Sequence, residues 1–209
     1  GAVLVAVSFS LVLTASAQKT WDKGGSNGNW DEDSSWSPAG EPTATDDAII
    51  NNGATVTVNL SGEQAKTLVV GNATGAGHLE VNTGGVLDIQ AGNGVNDTFI
   101  VGDGGTGTVV QTAGTVRGNW NGNPNLLLGN GTSGNGTYTI SGGTLDSSEG
   151  NGSRGIIGDE GVGELNVSST ASVTFRGLTV GNSGSSADGT INQSGGTVNA
   201  SLDVRLGVG

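Results

Sequence analysis

The feature that most constrains this chain is a short motif that recurs six times: three mostly apolar residues closed by a glycine. The copies are Leu68-Val-Val-Gly71, Phe99-Ile-Val-Gly102, Leu126-Leu-Leu-Gly129, Gly155-Ile-Ile-Gly158, Leu178-Thr-Val-Gly181 and Val204-Arg-Leu-Gly207. Successive closing glycines are 31, 27, 29, 23 and 26 residues apart. Asn72, Asp103, Asn130, Asp159 and Asn182 follow the first five. A self-similar period of this length marks a repeat architecture, in which each unit buries its apolar face only against its neighbours.

Two further strand signals follow each triplet. The second begins at a glycine, as in Gly77-His-Leu-Glu-Val81, Gly107-Thr-Val-Val-Gln111 and Gly136-Thr-Tyr-Thr-Ile140. The third follows a turn, as in Gly85-Val-Leu-Asp-Ile89, Gly114-Thr-Val-Arg-Gly118 and Gly143-Thr-Leu-Asp-Ser147, and Gly53-Ala-Thr-Val-Thr-Val58 reads as an earlier copy of it. Period-two alternation then gives three inward columns. The first is Leu68, Phe99, Leu126, Gly155, Leu178 and Val204. The middle one is Leu79, Val109, Tyr138, Leu165 and Ile191, and the third is Leu87, Val116, Leu145, Val173 and Val198. The intervening residues, such as Glu80, Asp88, Asp146 and Asn166, are polar. The expected fold is all-β: a parallel β-solenoid with three short strands per coil of about 27 residues, in five to six coils. At about 4.8 Å per rung this is a rod roughly 25–30 Å long. The last unit stops after its first strand, so the rod is expected to end in an uncovered edge or to continue in a longer chain.

Composition fits this geometry. Glycine supplies 41 positions, asparagine 20, serine 21 and threonine 23, about half of the 209 residues. Glycine gives positive φ at sharp corners, and Asn or Asp tolerates the same region and can stack in ladders. Gln111 and Gln193 fall at inward positions, where a buried amide must find backbone partners. Glycine has no three-residue period, which excludes collagen. Cysteine is absent and His78 is the only histidine, so disulfides, thiolate metal sites and any site needing two histidines are excluded. The net charge is −12. That opposes binding to nucleic acid and docking on anionic lipid.

Residues 1–17 are apolar but too short and too serine-interrupted for a membrane span. They read in two ways. The small-x-small pattern Ala15-Ser16-Ala17 before Gln18 marks the end of a secretion signal. Equally, Val3, Val5, Val7, Phe9, Leu11 and Leu13 alternate with mostly small residues, the pattern of a strand that a free terminus can donate to a neighbouring sheet edge. Residues 18–47 do not repeat, and they hold Trp21, Trp30 and Trp36 with Pro38 and Pro42. A solenoid needs an atypical end over its first coil, so this segment is expected to be the N-terminal cap, with a tryptophan sugar platform as the alternative. Residues 48–209 are then the solenoid. The acidic window Asp31, Glu32, Asp33, Glu41, Asp46 and Asp47 lacks EF-hand spacing, so a solvated surface is preferred to a calcium loop and no cofactor is expected.

The order of the three tryptophans, then Gly40-Glu-Pro42, Asp46-Asp-Ala-Ile-Ile-Asn-Asn-Gly53 and units of the form Leu-x-Val-Gly-Asn with Gly-Gly-Thr-Leu/Val, resembles the autotransporter-associated β-strand repeat proteins. The likeness covers residues 18–209, and is strongest to the secreted bacterial surface proteins that often end in a PEP-CTERM sorting tail. It implies an extracellular or surface-attached β-solenoid, usually without catalysis.

Three functions compete. The first is a secreted structural protein that assembles head-to-tail with copies of itself into an extracellular filament, matrix or cell-surface layer, because solenoid ends are open sheet edges and a contact that does not close grows a fibre. The second is a surface adhesin for extracellular polysaccharide, with Trp120 as its aromatic candidate. The third is a polysaccharide lyase or hydrolase built on the row Asp88, Arg117 and Asp146, for which a charge-balanced ladder is the plainer reading. No nucleophile motif or phosphate loop is present, so no catalytic residue is expected.

Overall fold

The structure, a computed structural model, describes residues 16–90, 99–119, 126–149 and 153–207. The N-terminal cap holds β1 (Gln18–Trp21), β2 (Gly28–Asn29), a 3-10 turn (Asp33–Ser35) and β3 (Trp36–Ser37). Six coils follow. The first is β4 (Asp47–Ile50), β5 (Thr55–Val58) and β6 (Ser61–Ala65), and the second is β7 (Thr67–Asn72), β8 (Gly77–Val81) and β9 (Val86–Ile89). The third is β10 (Phe99–Asp103), β11 (Thr106–Gln111) and β12 (Thr115–Asn119), and the fourth is β13 (Leu126–Asn130), β14 (Asn135–Ile140) and β15 (Thr144–Glu149). The fifth is β16 (Arg154–Asp159), β17 (Val162–Val167) and the first half of β18 (Ser172–Val180). The sixth takes the second half of β18, then β19 (Asp188–Gln193) and the start of β20 (Thr197–Leu206).

The strands stack into three parallel ladders. The first runs from β1 through β4, β7, β10, β13, β16 and β18 to β20, and the second from β2 through β5, β8, β11, β14 and β17 to β19. The third runs from β6 through β9, β12 and β15 to the first halves of β18 and β20. The three expected columns form as register lines: Leu68–Phe99–Leu126–Gly155–Leu178–Val204 is continuous in the first ladder, Leu79–Val109–Tyr138–Leu165–Ile191 in the second and Leu87–Val116–Leu145–Val173–Val198 in the third. These side chains fill one continuous core.

Glycine is required at both sides of the corner between the first and second strands. Gly102 has φ +78°, a region that L-residues with a Cβ avoid. Where β11 begins after this corner, a Cβ on Gly107 would lie 1.9 Å from the carbonyl oxygen of Val70, so only glycine lets the chain pass over the coil beside it. The residues after the closing glycines form the expected ladder: Asn130 Nδ2 donates to Asp103 Oδ1 (2.7 Å) and Asn182 Nδ2 to Asp159 Oδ1 (2.6 Å).

The repeat lengths differ through two connections. The one between the first and second strands takes 104–105 after β10, 131–134 after β13, 160–161 after β16 and 181–187 after β18. The link from the third strand to the next first strand spans 90–98, then 120–125, then 150–153, and in β18 and β20 it vanishes, so third and first strands fuse into one.

Three sequence expectations are corrected. Residues 53–58 are an early copy of the middle strand, not the third: Val56 pairs with Leu79 in the second ladder. The first copy of the third strand is β6, which was not legible because Ser61-Gly-Glu-Gln-Ala65 carries no large apolar residue. The first strands are apolar on both faces, not alternately polar. Ile100, Leu127 and Ile156 lie in one register line outside the main core and form a second buried cluster, with Val69 packed against it.

Candidate functional site

The two ends of the rod differ. At the N-terminal end the cap continues the solenoid before it closes it. β1 adds to β4 and β2 to β5, both parallel, while β3 folds back antiparallel on β1. Trp21, Trp30 and Trp36 pack edge-to-face, with Trp36 centroids 5.2 Å from Trp21 and 5.0 Å from Trp30. All three are 2% exposed or less, so no indole face is open as a sugar platform. Trp36 Nε1 donates to the Trp30 carbonyl (2.8 Å), and Trp21 Nε1 to that of Ser26 (3.1 Å).

Polar groups tie this cap to the first coil. Lys19 points inward and donates to the carbonyls of Pro38 (3.2 Å) and Ala39 (2.9 Å). Glu32 accepts from Lys23, from the Asn29 amide and from the Ser35 hydroxyl, and these bonds hold its pKa down at about 2. Burial works against the Asp46 carboxylate, but bonds from the Thr43 hydroxyl and amide and from the Ala17 amide, with Lys19 nearby, outweigh it and lower its pKa.

Glu63 on β6 is the exception. It stands in the third inward column, in register with Leu87, and is 6% exposed. Burial, the charges of Glu41 and Asp31 and a hydrogen bond with Glu41 push its pKa up to about 7. No sequence signal flagged it, because its strand was not legible.

At the C-terminal end the columns run out into solvent. Val204 continues the line of Leu178, and Leu206 that of Val180. Both are exposed, with Val204 at 57% and Leu206 at 74%, and neighbouring Leu202 is exposed as well. Ile191 and Val198 continue the other two columns and are only partly buried. Arg154 and Arg205 both donate to Asp203 (2.7 Å each), and the Arg154 bond ties the edge strand β20 to β16, two rungs away.

On the flank, Asp88, Arg117 and Asp146 share the outward line of the third ladder and, with Gln90, Gly118 and Glu149, line a cavity of about 290 Å³. The row resolves into separate contacts. Arg117 makes a two-pronged ion pair with Asp88, with Nη2–Oδ2 at 2.9 Å, and Asp146 accepts from the amide (3.0 Å) and hydroxyl (2.6 Å) of Ser148. The outward line of the second ladder, Thr55–His78–Thr108–Thr137–Glu164–Thr190, is interrupted by His78 and Glu164. Among the described residues no group of three His, Asp or Glu side chains is placed to hold a metal ion, and no helix is long and apolar enough to cross a membrane.

The candidate donated strand, Val3, Val5, Val7, Phe9, Leu11 and Leu13, lies outside the described residues, as does Trp120. The fold is a capped parallel β-solenoid whose last described coil exposes Leu202, Val204 and Leu206. Comparison with known proteins adds no relative: no family model, curated protein or solved structure matches the chain.

Proposed function

We propose that the protein is a secreted structural component that assembles head-to-tail with copies of itself into an extracellular filament or surface layer. The observation that carries this reading is the exposed C-terminal coil, where Val204, Leu206, Ile191 and Val198 continue buried columns. Apolar side chains already aligned on a coil's spacing lose water exposure when another coil is laid over them, at about 25 cal/mol per Å² buried. Each ladder also ends in an edge strand at both ends: β3, β2 and β6 at one, β20 and β19 at the other. Edge strands present unpaired backbone groups, and a contact between unlike ends propagates without closing. Secretion and surface attachment agree with the resemblance noted above and with a chain that has no cysteine to protect.

The reading is tested by sedimentation velocity across a concentration series. The wild-type chain is expected to form concentration-dependent oligomers, and Val204→Asp with Leu206→Asp to remain monomeric while keeping a native circular dichroism spectrum. Equal sedimentation of the two proteins would contradict it.

A further inference from the structure

Glu63 occupies a place where every other coil puts an aliphatic side chain. Its register line continues as Leu87, Val116, Leu145, Val173 and Val198. β9 offers it Leu87, and the cap sets Asp31 and Glu41 against it. The cations of this end are engaged elsewhere. Lys19 is held by Pro38 and Ala39, Lys23 by Glu32, and Lys66 by Asp47 (3.4 Å) and Ser16 (3.4 Å). The strand itself is bulged between Ser61 and Glu63, with Gly62 at φ +102°.

We propose that Glu63 is a proton-operated latch between the cap segment 38–46 and the first coil. With its proton, Glu63 is neutral in the core and bonds to the Glu41 carboxylate, so the cap segment lies closed over β6. Without it, a buried carboxylate lies in the field of Glu41 and Asp31, whose charges oppose its own. Burial then penalises the charge and the like charges push the segment away. The carboxyl's pKa of about 7 places the change close to neutrality. The sign follows from linkage: the closed state binds the proton more tightly than the open one, so opening rises with pH between the ordinary carboxylate value and about 7, and levels off above it. This device does not depend on the assembly proposed above.

The test is amide hydrogen exchange of residues 38–46 and 61–65, corrected for the intrinsic pH dependence, on the wild-type chain, Glu63→Gln and Glu41→Gln. In the wild type, the opening equilibrium is expected to rise about 40-fold between pH 5 and pH 7, tenfold per unit in mid-range and less near each limit. Glu63→Gln, which keeps a hydrogen-bond donor towards Glu41, is expected to stay protected and flat across that range. Glu41→Gln removes a repelling charge that raises the Glu63 pKa, so it should shrink the change and bring its upper limit to lower pH. The proposal is overturned if wild-type exchange in these segments is flat from pH 5 to 8, or if Glu63→Gln keeps the wild-type pH dependence.

Discussion

The ring of Phe175 occupies the space that a side chain at Gly155 would need: a Cβ built on Gly155 would lie 2.5 Å from the ring carbon Cε1. Gly155 stands in the first inward column, between Leu126 and Leu178, and Phe175 stands in the third ladder beside the smaller Ser147 and Ala200. One coil thus trades a large residue between two of its faces and keeps the core volume filled. Gly155→Ala is expected to lower the unfolding free energy by about 1–3 kcal/mol through overpacking. Combining it with Phe175→Leu should give less than the sum of the two single losses, because the substitutions share one space. Thermal or denaturant unfolding of the four proteins measures this.

Gln111 and Tyr138 form a second compensated pair. The Tyr138 hydroxyl donates to Gln111 Oε1 (2.7 Å), and Gln111 Nε2 donates to the carbonyls of Thr144 (3.0 Å) and Gly114 (3.2 Å). Both residues are fully buried, and burial raises the phenol pKa well above its ordinary value. Tyr138→Phe leaves Gln111 Oε1 without this donor and is expected to cost about 1–3 kcal/mol. Gln111→Leu with Tyr138→Phe should recover part of that loss in a double-mutant cycle read by chemical unfolding.

Asp46 gives stability an acid limit. Its folded-state pKa is depressed, so its contribution is fully present above the ordinary carboxylate value of 3.8 and is lost as pH falls through the lower folded value. Thermal melts from pH 6 to pH 2 are expected to show a loss that steepens below 3.8 in the wild type and is smaller in Asp46→Asn. At pH 7 that variant should be less stable by about 1–2 kcal/mol, since one amide oxygen replaces a carboxylate that accepts from Ala17 and Thr43.

Much of the fold was legible because apolar residues at period two, punctuated by glycine, admit few arrangements. The columns through Leu79 and Leu87 could be written down from the sequence, as could the turn bonding of Gln111, since an inward amide has few partners. What escaped had weak or ambiguous local signals. Gly53–Val58 fits the middle and third strand patterns equally, and only pairing with β8 decides between them. β6 carries Ser, Gly, Glu and Gln, so neither the strand nor the inward Glu63 could be read. The outward burial of Leu127 was hidden because alternation assigns one apolar face, whereas the triplets carry two. The tryptophans announced a cap, but not that β1 and β2 would pair in parallel as the beginning of a coil.

The central claim, that an open apolar coil drives head-to-tail growth, is tested most directly by negative-stain microscopy of the concentrated wild-type chain, with fibre diffraction from the same sample. Unbranched filaments one solenoid wide, with a strong axial reflection near 4.8 Å, are the predicted result. Monodisperse short rods at every concentration would contradict the claim.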